Sequence, residues 1–298
     1  MLMSPPELGA SNSQRHATDR PDRFRSIGRR SREVAGRRLA RASRRAAEDA
    51  GRPLIGVGCL FCRRSDQPFT SVEHILPESL GNKEWILPAG VVCDRCNNGP
   101  LAAAEKDLCE FFPIKAVRTM TAQKSKKGRY PAFQFARGTM QYDGTTLKVD
   151  LDEPGDTDTL REVERSGDEV HLLMSLRSDK PVSEKTTRRV ASSMLKAALE
   201  MAVNDCPEMA YSPDLDYVRD RVLGAPWSGM VIATRNHGPF APDVRLTYDF
   251  TFEEPQIGFW VALDYRGLLL LTHSYVHEPR GHVPADKAIV FKFGCGAP

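Results

Sequence analysis

Three observations predict an α+β protein. Residues 184–204 repeat apolar side chains at helical spacing, with Val190, Met194, Leu195, Ala198, Leu199, Met201 and Ala202 on one stripe. The last third of the chain alternates instead: Leu246, Tyr248, Phe250 and Phe252 recur every second residue, as in a strand with one buried face. Nearer the N-terminus, two Cys-x-x-Cys pairs, Cys59–Cys62 and Cys93–Cys96, bracket a Glu73–His74 dipeptide. A chain of 298 residues, 41% hydrophobic and 27% charged, is long enough for two cores and a tail. No apolar run reaches the length of a membrane span and the N-terminus has no hydrophobic signal core. The expectation is a cytoplasmic protein with no membrane partner.

Residues 1–54 read as a basic disordered tail. Residues 1–58 hold thirteen Arg, no Lys and six acids, a net +7, whereas the rest holds 29 bases against 33 acids, a net −4. Large apolar residues are few and only 31–49 has weak helical character, so the arm is expected to order, if at all, on a polyanion. Counterion release would then raise nonspecific affinity for nucleic acid. Two other readings stay open: an organelle transit peptide, which the acids fit poorly, and upstream sequence from a misplaced start.

The segment 55–115 carries the chemistry. Four thiolates in two pairs suit a tetrahedral zinc ion, which takes soft ligands at about 2.3 Å and has no redox role. Cys59, Cys62, Cys93 and Cys96 are therefore the expected structural zinc ligands. Buried free thiols or a redox Cys-x-x-Cys are the competing readings, and the absence of a βαβ pattern around the pairs speaks against the second. Cys109, Cys206 and Cys295 lack spacing partners, so reduced thiols and a reducing compartment are expected. Between the pairs, Glu73–His74 suits a metal-assisted hydrolase, because an imidazole titrating near neutral pH can deprotonate water.

The order Cys-x-x-Cys, Glu73-His74-Ile75-Leu76-Pro77-Glu78-Ser79-Leu80-Gly81, Cys-x-x-Cys-Asn97 resembles the HNH endonucleases over roughly residues 59–110. It is most similar to their subgroup with two zinc-knuckle cysteine pairs. The resemblance implies a treble-clef ββα-metal unit, with a first strand over Val72–Leu76, a second at Val91–Val92, and a helix after the second knuckle. That helix would turn Leu101, Leu108 and Phe112 inward. It also implies roles: His74 as general base, and Glu73 and Asn97 as ligands of a catalytic Mg2+ or Mn2+. The implied products carry 5′-phosphate and 3′-hydroxyl ends. Two departures stand out. Pro88 and Ala89 occupy the region where many members have a loop-holding asparagine, for which Asn82 is the available substitute. Pro100 replaces a common lysine, and a helix restarting there would use Asn98 or Gly99 as its cap.

Residues 116–298 read as an α+β domain of unassigned role. Lys124, Lys126, Lys127 and Arg129 surround Gly128 in a loop suited to phosphate contact or simply to solvent. Strands are expected over 132–136, 139–142 and 145–149, the last two joined at Asp143–Gly144. An acidic exposed loop over 151–168 and a strand over 171–176 follow. The helix over 184–204 is expected to turn Lys185, Arg188, Arg189 and Lys196 to solvent, and a second helix covers 213–223. Strands over 230–234, 246–252, 257–263, 268–275 and 288–293 complete the chain. His273, His277 and His282 have no accompanying carboxylate cluster and read as structural or surface residues.

The expected function is metal-dependent hydrolysis of DNA phosphodiester bonds, with nucleic acid as partner. The alternatives are a zinc-stapled nucleic-acid-binding module without catalysis and a thiol oxidoreductase.

Overall fold

The long helix organises the molecule. Glu184–Asp205 begins where the Ser183 side chain accepts the Thr186 amide at 3.1 Å, a standard N-cap that satisfies an otherwise unpaired donor. The computed structural model describes residues 58–135, 138–152, 160–166, 169–174, 181–235, 240, 243–253, 256–275 and 288–293. The basic tail, Cys295, His277 and His282 lie outside the described residues.

In chain order, α1 spans Asp94–Cys96, α2 Ala102–Glu110 and α3 Phe112–Met120. Then come β1 (Ala132–Phe135), β2 (Gly138–Tyr142), β3 (Leu147–Leu151), β4 (Leu160–Ser166) and β5 (Glu169–Met174). The long helix is α4, followed by α5 (Pro207–Ala210) and α6 (Asp216–Val222). The chain closes with β6 (Gly229–Arg235), β7 (Val244–Glu253), β8 (Gln256–Tyr265), β9 (Leu268–Tyr275) and β10 (Ala288–Phe293). Strands β1–β3 form an antiparallel meander, β4 pairs with β5, and the five C-terminal strands form an antiparallel sheet in the order β10-β6-β9-β8-β7. The protein is thus a mixed helix-and-sheet fold, as its periodicities imply.

Turn chemistry sets the registers. Asp143 accepts the amides of Thr145 and Thr146 at 2.9 and 2.7 Å, and Gly144 sits at φ 98°, so the β2–β3 hairpin closes where expected. Arg266 and Gly267 both have positive φ and join Tyr265 to Leu268 in a two-residue turn. The register then stacks Phe250 on Phe259, with ring centroids 4.4 Å apart. One expectation fails here: the acidic stretch read as a loop contains β4 at Leu160–Ser166, whose partner β5 lies across a short connection.

α4 touches α2, α5, α6 and every strand of the five-stranded sheet. Ile55–Pro298 form one compact unit. A single apolar core joins the cysteine segment (Leu60, Leu76, Leu101, Leu108) to α4 (Met194, Leu195, Leu199) and to the sheet (Val231, Phe259, Leu263). Each such side chain, fully buried, contributes about 1.5–3 kcal/mol. The middle of the helix, Val190–Glu200, is consequently buried all round rather than along one stripe, while its two ends are exposed. The expected solvated basic face does not hold for Lys196, which is 1% exposed.

Candidate metal centre and active site

The first knuckle is a tight turn. Cys59 N–H donates to Arg64 O and Arg63 N–H to Cys59 O, both at 2.9 Å. Gly58 enters it at φ +88°, and a Cβ there would lie 2.5 Å from Arg63 O, so only glycine fits. Leu60 N–H reaches Val91 O at 2.8 Å, which draws the second knuckle alongside. The Sγ atoms of Cys59, Cys62, Cys93 and Cys96 all lie within 4.8 Å of one another. Cys62 and Cys93 are 3.7 Å apart, far beyond a disulfide bond and close to the separation of about 3.8 Å that tetrahedral ligands at 2.3 Å require. A hydrogen bond from Cys96 holds the Cys59 thiol below its ordinary range, while the same bond pushes Cys96 up and burial pushes Cys93 up. By donor type, number and separation this tetrad suits a structural zinc ion, and no described cysteine is in a disulfide.

Two arginines, buried Arg219 and part-exposed Arg63, fasten the knuckle to the helical region. Arg219 donates to Leu60 O at 2.8 Å, to Ser212 O at 2.9 Å and also to Ala210 O, while pairing with Asp216 at 2.7 Å. Burial lowers its pKa to about 10, and the Asp216 carboxylate keeps it charged. Arg63 reaches Tyr211 O at 2.7 Å.

Between the knuckles the chain doubles back on itself. His74 forms an isolated antiparallel bridge with Ile86, flanked by Ile75 N–H to Trp85 O (2.9 Å) and Leu87 N–H to Glu73 O (3.0 Å). Neither strand expected here, Val72–Leu76 or Val91–Val92, forms: the pairing is reduced to the single His74–Ile86 bridge, and Val91 O is taken by the first knuckle. Asn82 makes the return possible. Its Nδ2 donates to Leu76 O (2.8 Å) and Trp85 O (3.1 Å), and its Oδ1 accepts from Trp85 N–H (2.9 Å). It stands just before the bridge residue Ile86 and closes the loop between Leu76 and Trp85. Pro77 follows, and Glu78–Leu80 make one 3₁₀ turn ending at Gly81 with φ 92°.

Behind Cys96 the helix does not restart cleanly at Pro100. Asn97–Leu101 form one wide turn between α1 and α2, kinked at Gly99, since a residue preceding proline is pushed out of helical dihedrals. Asn97 is carried on this turn, and its Nδ2 donates to Val72 O at 3.2 Å, which leaves its amide oxygen for other partners. Asp94 ties the approach to the hairpin, accepting from Thr70 N–H and Ser71 N–H at 2.8 Å each. The Thr70 hydroxyl, which donates at 2.6 Å, and the Ser71 amide hold its carboxyl below the usual range. Leu101 and Leu108 are buried as expected, whereas Phe112 opens α3 and packs on Phe133 in a separate small cluster.

Glu73, His74 and Asn97 line one cavity of about 220 Å³, together with Glu78, Glu105 and Lys126. Glu73 is 5% exposed, and burial raises its pKa against the opposing pull of Lys196. Its Oε1 lies 2.5 Å from Lys196 Nζ, while its Oε2 is buried without a hydrogen-bond partner, as is His74 Nδ1. Such orphaned buried atoms are rare unless a further group completes the site. An unpaired carboxylate oxygen and an amide oxygen on one wall are the donor types a hard divalent cation takes.

Sequence reasoning missed Lys196, Glu105 and Glu200. The Lys196 ammonium also contacts Glu105 at 2.6 Å, Glu200 at 3.0 Å and the His74 carbonyl at 2.7 Å. Burial alone would neutralise it, but the three carboxylates together raise its pKa and keep it charged. Burial pushes Glu200 well above the usual carboxylate range. One signal was available: Lys196 and Glu200 stand four apart within an otherwise apolar run.

No helix among the described residues is long and apolar enough to cross a membrane. No curated protein and no solved structure matches the chain. A family model described as HNH endonuclease matches residues 59–108, the stretch that holds both knuckles, the Glu73–His74 hairpin and Asn97. This segment is therefore similar to the HNH endonucleases.

Proposed function

We propose that this protein is an endonuclease that hydrolyses DNA phosphodiester bonds, with His74 as general base. One observation carries the reading: Glu73, His74 and Asn97 line a single cavity next to a cysteine tetrad that stiffens its frame. Glu73 and Asn97 would hold Mg2+ or Mn2+, and that ion, when bound, supplies positive charge against the developing phosphorane. His74 takes the proton of the attacking water, and its position is fixed by the hairpin that Asn82 closes. Lys126, 76% exposed at the cavity, offers a mobile cation to the phosphate backbone. The thirteen arginines of the N-terminal region add sequence-independent affinity. A tetrad of reduced thiols suits residence in the cytoplasm.

The roles separate by metal rescue. His74→Ala should lower the cleavage rate about 10²–10⁴-fold at every Mn2+ concentration, because its missing group is a base. Glu73→Ala and Asn97→Ala should be partly restored by excess Mn2+, because each lacks a ligand. Equal rescue of all three would refute the assignment.

A second reading, a nucleic-acid-binding module without catalysis, is favoured by the Lys196 ammonium already seated on Glu73. It predicts DNA binding with no cleavage in any divalent metal.

A further inference from the structure

We propose that Lys196 is a positioning residue of the nuclease site, so that α4 is part of the catalytic apparatus and not only of the core. The inference rests on the nuclease reading above. An ammonium 1% exposed is tolerated only with dense compensation, and this one faces four oxygens from three parts of the chain. Glu73 Oε1 (2.5 Å) and His74 O (2.7 Å) come from the short hairpin, Glu105 Oε1 (2.6 Å) from α2, and Glu200 Oε2 (3.0 Å) from α4 itself.

Two features distinguish positioning from mere charge balance. Lys196 engages Oε1 of Glu73 and leaves Oε2 of this cavity-lining residue buried without a partner. It also holds the backbone carbonyl of His74, an interaction that balancing carboxylates does not require, and so locks acid and base into one register. Apolar replacements of a buried ion pair are often as stable or more so, which makes stability alone a weak reason for this lysine. Outer partners that orient a metal-binding carboxylate typically matter about 10–100-fold in metal affinity or activity.

The test uses the full-length, zinc-loaded protein and the variants Lys196→Met and Lys196→Arg. Mn2+ affinity is measured by calorimetry without DNA, alongside kcat, KM, zinc content and melting temperature. Lys196→Met should weaken Mn2+ binding and lower kcat, each about 10–100-fold, with zinc retained and the KM for DNA little changed. Lys196→Arg, which keeps the charge, should recover part of both. Should Lys196→Met lose zinc, the double variant Lys196→Met/Glu200→Met removes the buried pair together and should fold with the same loss of Mn2+ affinity. Mn2+ binding as tight as wild type, or tighter, would make Lys196 a counter-ion or competitor and overturn the proposal, as would loss of fold in both variants. A wild type that neither binds Mn2+ nor cleaves DNA overturns the nuclease reading and this proposal with it. A wild type that does both, with Lys196→Met indistinguishable, overturns the proposal alone.

Discussion

The cysteine tetrad and the acid–histidine cavity lie within one short segment, yet they are built on opposite principles. The tetrad draws all its donors from two nearby stretches, Cys59–Cys62 and Cys93–Cys96, which bring four soft donors together. The cavity does not. Its acid is held by a lysine far along the chain, and its base is braced through a hydrogen bond from the same lysine to the His74 carbonyl. The four thiols thus come together from residues close in sequence, whereas Glu73 and His74 take a partner from far along the chain.

The sharpest way to break this comparison is to remove a thiolate. Replacing any one of Cys59, Cys62, Cys93 or Cys96 by Ser should release zinc and unfold the segment, since structural zinc contributes about 10–16 kcal/mol of apparent binding energy. Metal analysis and circular dichroism would read this, and a folded, zinc-free variant would show that the tetrad is dispensable. Truncating the core beneath the cavity should be milder. Leu199→Ala on α4 should cost about 2–5 kcal/mol in denaturant melts while zinc stays bound, because the tetrad does not need α4 for its donors. Loss of zinc in parallel with unfolding of α4 would erase the distinction. Asn82→Ala leaves Leu76 O, Trp85 O and Trp85 N–H without their side-chain partner and should cost about 1–3 kcal/mol. Its cleavage rate should fall with little change in zinc content, and an unaltered rate would mean that the loop does not orient His74. The smallest effect is expected from deleting residues 1–50. Cleavage of saturating DNA should persist, whereas the salt dependence of binding should flatten by about 0.9 in log–log slope for each phosphate that the arm no longer neutralises. An unchanged slope would remove the arm from the DNA-binding account.

Much of this was legible in the sequence, because local chemistry decided it. The cysteine pairs, the Asp143–Gly144 hairpin and the alternation along β7 each act within a few residues of chain. What escaped was long-range. Lys196 reads as one more basic residue on an amphipathic helix, and only the packing of α4 against α2 and the sheet turns it inward. The strand expected at Val91–Val92 does not form for a related reason: Val91 has strand character, but its carbonyl is taken by Leu60 across the knuckle. β4 was hidden by composition, since an acidic stretch forms a strand when β5 stands ready to pair with it. The wide turn at Asn97 follows from Gly99–Pro100, a signal present in the sequence but ambiguous between a kink and a fresh start.

The account's central claim is that the tetrad supports and the cavity reacts. The most direct measurement is plasmid nicking in Mg2+ or Mn2+ by zinc-loaded wild type and His74→Ala, with zinc content and DNA affinity determined on the same samples. The account predicts that wild type nicks the plasmid, and that His74→Ala keeps its zinc and its DNA affinity but cleaves about 10²–10⁴-fold more slowly. Cleavage by His74→Ala at the wild-type rate, or no cleavage by wild type in any divalent metal, would contradict it.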